Sequence, residues 1–220
     1  MNRAETMTLN IPGQAWLKKQ RIHWVQIAAH LGAAIPLAAL IWAATTGGLT
    51  INPIQDITFR TGKAAIWLLV LSLAVTPAQM VSGYRPLVKT RRPLGLWAFF
   101  YAGLHFLIFV GLDYGFNWGL LQEAIFEKRY ALVGFAAFVI MLPLAITSTK
   151  GWMVRLGKRW KGLHRWVYVA GILAAIHYIW VVKADLREPL AFTAAIGILL
   201  LMRVPIVRKR IVRWRQQLSS

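Results

Sequence analysis

The stretch Gly162–Val182, GLHRWVYVAGILAAIHYIWVV, decides how this chain is read. It holds two histidines, His164 and His177, thirteen residues apart, and seventeen uncharged residues separate Arg165 from Lys183. That length makes most of a membrane-spanning helix. A helix rises about 1.5 Å per residue, so one continuous helix sets the two imidazoles about 20 Å apart along its axis. Histidine is costly inside a bilayer, and an ionisable residue there marks a functional position. The pair reads as two stations at different depths. The competing reading is two interfacial histidines bonded to neighbouring helices.

Working outward, the chain has 220 residues, 58 % of them hydrophobic, and no cysteine. Disulfides, zinc fingers and thiolate-held clusters are excluded. Six uncharged apolar blocks follow one another. The first, Trp24 to Ala43, contains His30 and Pro36, and it has no small-residue cleavage site of the kind that ends a signal peptide. Thr45 to Gly62 reads as a polar loop with a turn at Asn52-Pro53. Block two lies between Lys63 and Arg85, block three between Arg92 and Asp113 with His105, and block four between Arg129 and Lys150. Block five is the opening stretch. Block six runs from Glu188 past Arg203 to about Val207, and spans if Arg203 snorkels to a membrane surface. The expected fold is an all-α integral membrane protein: a six-helix bundle over residues 24–207, with tails at 1–23 and 208–220.

Charge orients the bundle. The N-terminus, the second loop (Arg85, Lys89, Arg91, Arg92), the fourth loop and the C-terminal end together hold twenty basic residues and one acid, Glu5. The opposite side has six of each, so the whole net charge of +19 lies on one side. The positive-inside rule makes that side cytoplasmic, with both termini inside. This distribution fits orientation and anionic membrane lipid rather than nucleic acid.

The histidines then take their depths. His105 stands eight residues before Asp113, and His177 six before Lys183. Both lie about 10 Å inside the outer ends of outward-running helices. Matched depth on two such helices is what two axial ligands of one haem require. No acidic residue lies in the spans, which argues against a proton pump or cation transporter. His164, at the inner end, needs a different partner. Fourteen residues before His105 stands Arg91, which has no usable lone pair. Arg91 and Arg92 suit haem propionates instead, through charge-assisted hydrogen bonds. His30, about 13 Å from the inner surface, is a candidate sixth ligand.

Three runs carry a family resemblance: RRPLGLWAFFYAGLHF in the third block, LAITSTKGWMVRLGKRWKGLHRWVYV before the fifth, and HYIWVVK at its end. Together they resemble the haem-binding membrane subunits of bacterial periplasmic methionine sulfoxide reductase systems, the MsrQ family. The resemblance covers nearly the whole chain, least at the N-terminal tail and beyond Val207. That family shares the ferric-reductase-like transmembrane domain with NADPH oxidases and metalloreductases. Those relatives carry two histidines on each of helices three and five, whereas this chain has both on helix five and only His105 on helix three. The resemblance implies haem b, one or two, and FMN as a further cofactor. It implies a cytosolic flavin reductase or quinol as donor, and a periplasmic molybdopterin-dependent methionine sulfoxide reductase as acceptor. The place implied is the bacterial inner membrane.

About a dozen residues follow the sixth block, and no G-x-G-x-x-G follows a strand. Electrons are therefore expected from another protein or from membrane quinol. Two other classes stay open: a di-haem quinol-oxidising cytochrome b or metalloreductase-like carrier, and a transporter or scaffold without haem. A visible haem spectrum separates the haem readings from the last.

Overall fold

The computed structural model describes residues 23–218. The expected N-terminal tail, residues 1–22, lies outside the described residues. Helix α1 spans Trp24–Thr46. His23 caps it, accepting from Val25 N, while the Gln26 side chain reaches back to the His23 amide. Gly47, at φ 73°, ends it in the left-handed conformation that glycine adopts without strain. Helix α2 spans Pro53–Ser82. Residues 53–62 are therefore helical, not loop. The local chemistry explains the difference: Asn52 accepts from the Gln55 amide, Pro53 fits the first helical position, and Asp56 pairs with Arg60 one turn on.

A 3₁₀ turn, Arg85–Thr90, leads into α3, Arg91–Ile108, whose C-terminal end loosens into one π-helical turn, Phe109–Asp113. Then come α4 (Trp118–Glu127), α5 (Arg129–Ile146), α6 (Lys150–Leu156), α7 (Lys158–Leu163), α8 (Trp166–Val181), α9 (Arg187–Leu201) and α10 (Pro205–Leu218). Among the described residues, four segments are long and apolar enough to cross a membrane: 24–46, 53–82, 85–113 and 129–146. Helices α9 and α10 meet that standard only together, and they are bent by 79°. Helix α8 has 16 residues, about 24 Å, at the short end for a span. The described residues are thus all-helical, with four candidate membrane spans, or five if the bent pair counts as one.

Helix α2 is the central post: 56 % of its apolar window is buried, against 17–22 % in the other three spans. Leu68, Leu69 and Leu73 of α2 pack with Ala98 and Tyr101 of α3, Met141 of α5 and Ala170 of α8. Helix α9 sets Phe192 and Ile196 against Ile66 and Val70 of α2. Around this core Leu31, Trp42, Phe135 and Ile198 are exposed, as lipid-facing side chains are.

Helix breaks at proline are repaired from neighbouring helices, as a bilayer demands. Pro77 has no N–H to give to the Leu73 carbonyl, four residues before it. Arg203 supplies the donor, its Nη2 lying 2.6 Å from Leu73 O, with Nη1 3.0 Å from Leu199 O and the guanidinium over the Tyr168 ring. Arg203 therefore turns into the bundle rather than snorkelling to the surface. In α1, beside Pro36, the buried Tyr101 hydroxyl enters the ladder itself. It accepts from Leu37 N and donates to Ala33 O, both at 2.9 Å. Tyr101→Phe is expected to lower stability by about 1–3 kcal/mol, since it strips two backbone groups of their partner. An unchanged thermal midpoint in detergent would mean that α1 recloses on itself.

Candidate functional site

Two helical hairpins of like design meet toward the C-terminal ends of α3 and α8. In the first, α2 packs on α3, and in the second, α5 packs on α8. His105 of α3 sets its Nδ1 2.9 Å from the carbonyl of Thr58, 47 residues earlier in the chain. His177 of α8 sets its Nδ1 2.8 Å from the carbonyl of Tyr130, again 47 residues earlier. A carbonyl oxygen only accepts, so each Nδ1 carries the proton and each Nε2 keeps a lone pair. This is the tautomer that a metal-ligating histidine needs, with its far nitrogen tied and its near one available.

The rings lie against bare backbone. A Cβ on Gly62 would stand 3.0 Å from His105 Nδ1 and 3.1 Å from its Cε1. On Gly134 it would stand 2.7 Å from His177 Nδ1 and 2.8 Å from its Cε1. Each glycine follows its bonded carbonyl by one helical turn, so one stretch of helix supplies both a seat and a tether. Fully buried alanines, Ala98 and Ala170, recur seven residues before each histidine.

The two hairpins bring the imidazoles together. Their centroids lie 6.2 Å apart with planes at 79°. A metal–imidazole bond is about 2 Å, so one ion between two axial rings sets their centroids about 6 Å apart. Among the described residues, no three His, Cys, Asp or Glu side chains gather around a common point. Two nitrogens are too few to cage a bare ion. They are the right number for a haem, whose own nitrogens fill the plane. The donor set and spacing therefore fit that group.

His164 is placed otherwise. The chain turns at His164–Arg165, where Arg165 N bonds to Gly162 O and Tyr168 N to Arg165 O, so α8 begins only at Trp166. His164 thus lies in the turn between α7 and α8, off the helix that carries His177. His164 stacks on Trp160 at 3.9 Å, and its Nε2 lies 3.1 Å from Thr147 Oγ1. That hydroxyl spends its proton on Pro143 O, so His164 Nε2–H is the donor and Nδ1 keeps the lone pair. Burial lowers the pKa of the ring, which favours its neutral form. His30 is exposed, and its Nδ1 accepts the Trp97 indole N–H at 3.0 Å. A neutral His30 bonded this way carries its proton on Nε2. The structure pairs His30 with Trp97 and His164 with Trp160, not with each other. Arg91 and Arg92 are exposed at the start of α3, and the Arg91 guanidinium bonds to Thr76 of α2. Gly62, Gly134 and the two carbonyls were not visible as site members in the sequence. Their signal was the repeated 47-residue separation.

Comparison with known proteins follows this geometry. The family described as ferric reductase like transmembrane component matches residues 61–175, which include His105 and His164 and end just before His177. A protein-methionine-sulfoxide reductase heme-binding subunit, MsrQ, of Rhodospirillum rubrum is 43 % identical over 194 residues, 87 % of this chain and 93 % of the relative. The MsrQ of Xanthomonas axonopodis pv. citri is 40 % identical over 181 residues, 80 % of this chain and 83 % of its own. No solved structure matches.

Proposed function

The chain belongs to the MsrQ family of haem-binding subunits, built on a ferric-reductase-like membrane domain, and from that premise we propose that it is a transmembrane b-type cytochrome serving a methionine sulfoxide reductase. The observation that carries this reading is the His105–His177 pair, two tethered imidazoles at single-metal spacing. A haem held there supplies one-electron chemistry between two oxidation states of iron. The chain's own part is to fix both imidazoles as neutral Nε2 donors. It does so with two helix carbonyls and two glycine seats.

In this reading the bundle has six spans with both termini cytoplasmic, α8 and α9 being the short ones, in the bacterial inner membrane. The one-sided charge supports that orientation. Electrons enter from a cytosolic flavin reductase or from quinol, with FMN as an accessory cofactor. They leave to a periplasmic molybdopterin-dependent methionine sulfoxide reductase that repairs oxidised proteins. A second haem at His164 requires its Nε2 to leave Thr147, or its Nδ1 to bind instead. Arg91 and Arg92 then stand at the same end of the bundle for the propionates.

The test is the purified protein's visible spectrum, with its haem-to-protein ratio. A low-spin b-type spectrum is expected, and the ratio separates one haem from two. Colourless protein from haem-replete cells would sink the proposal. Reduction by a quinol analogue but not by reduced flavin would make quinol the donor and leave the flavin reductase out.

A further inference from the structure

We propose that α10 lies in the plane of the cytoplasmic membrane surface, binds anionic phospholipid headgroups, and thereby anchors the inner end of α9. This rests on the membrane reading above and goes beyond it.

Length and direction come first. Helix α9 has 15 residues, about 22 Å, against a hydrocarbon core of about 30 Å. It stops where Arg203 N and Val204 N close tight turns on Leu200 O and Leu201 O, and where Pro205 has no N–H to continue the ladder. Helix α10 leaves at 79°. An interfacial helix sits about 5–10 Å into the headgroup–acyl boundary, which makes up what α9 lacks.

The sequence of α10, PIVRKRIVRWRQQL, suits that position. Val207, Ile211 and Trp214 fall at i, i+4 and i+7, one apolar stripe. Val207 and Ile211 are half-buried, and Trp214 is exposed. Arg208, Lys209, Arg210 and Arg213 are exposed off the stripe, and the helix contains no acid. Arg215 Nη1 donates to Met80 O at 3.2 Å, which docks α10 on the inner end of α2 and fixes its roll. A helix that reached out to a soluble protein would continue away from the bundle. One turned through 79° runs along the surface, its stripe toward acyl chains and its cations among headgroup phosphates.

The chain has no cysteine, so single introduced thiols report unambiguously. The full-length haem-loaded protein is labelled at Trp214→Cys, Lys209→Cys or Leu31→Cys, the last an exposed position on α1. Each is placed in vesicles of phosphatidylcholine with or without phosphatidylglycerol. Quenching by oxygen, which enters lipid, is compared with quenching by an aqueous nickel chelate. With phosphatidylglycerol, the Trp214→Cys label is expected to match the lipid-facing Leu31→Cys label, and the Lys209→Cys label to face water. Adding Arg208→Gln, Arg210→Gln and Arg213→Gln, or omitting phosphatidylglycerol, is expected to raise nickel quenching of the Trp214→Cys label severalfold. An aqueous Trp214→Cys label beside a lipid-phase Leu31→Cys label would overturn the proposal and leave α10 as an arm for a soluble partner. A Trp214→Cys label indifferent to both lipid charge and the glutamines would overturn the headgroup recognition. An aqueous Leu31→Cys label would instead sink the membrane reading itself.

Discussion

His105→Ala and His177→Ala are each expected to abolish the same low-spin haem signal, with at least a tenfold fall in its amplitude. A haem held there would take one nitrogen from each ring, and the two rings stand at the separation one metal would set, 6.2 Å between centroids. Loss of either ligand leaves the other without a shared metal, so the two variants should look alike. His30→Ala is the control. Its ring accepts the Trp97 indole proton on the exposed side of α1, and its removal should leave the signal intact. Absorbance and paramagnetic resonance spectra of the purified variants decide the matter. A full-size signal in either single variant would break the pairing.

Gly134→Ala is expected to weaken haem retention by about ten- to a hundredfold, the range for losing a group that orients a metal ligand. Helix propensity points the other way: alanine should stabilise an interior helical position by roughly 1 kcal/mol over glycine. Contact decides the sign. The new methyl would lie 2.7 Å from His177 Nδ1, so the ring must move and its bond to Tyr130 O must lengthen. Overpacking of this kind costs about 1–3 kcal/mol in a core. Gly62→Ala meets His105 at 3.0 Å and should act in the same direction but less. Measuring haem content and the low-spin signal in both variants tests the order. A wild-type spectrum in Gly134→Ala would remove the seat from the account.

Much of the architecture was legible because a bilayer imposes long, uncharged segments, and the blocks around Trp24, Lys63, Arg92 and Arg129 became the four clear spans. The matched depth of His105 and His177 was legible too, since it needs only counting along helices. The seats were hidden for a specific reason. Residues 45–62 are rich in Gly, Thr and Asn and read as loop, whereas the Asn52 cap and Pro53 start a helix there that carries Thr58 and Gly62 over His105. Nothing in local composition separates such a glycine from a turn glycine. The break at His164–Arg165 was hidden as well, because no proline marks it and only the tight hydrogen bonds reveal it. Arg203 misled in another way: a long cation near a helix end usually reaches for water, but here Pro77 had freed a carbonyl within the bundle.

His177 lies just before the last turn of α8, and His105 lies in the last turn of α3 with one π-helical turn beyond it. In the proposed orientation, with the basic loops inside, an electron arriving there from the cytoplasm would have crossed most of the membrane's electric field. A potential of 100 mV, negative inside, does about 2.3 kcal/mol of work on one elementary charge that crosses it fully. On the proposed reading, outward transfer to the His105–His177 pair would be electrogenic and would run with the field. The energised membrane itself would then be part of the driving force for reduction on the far side.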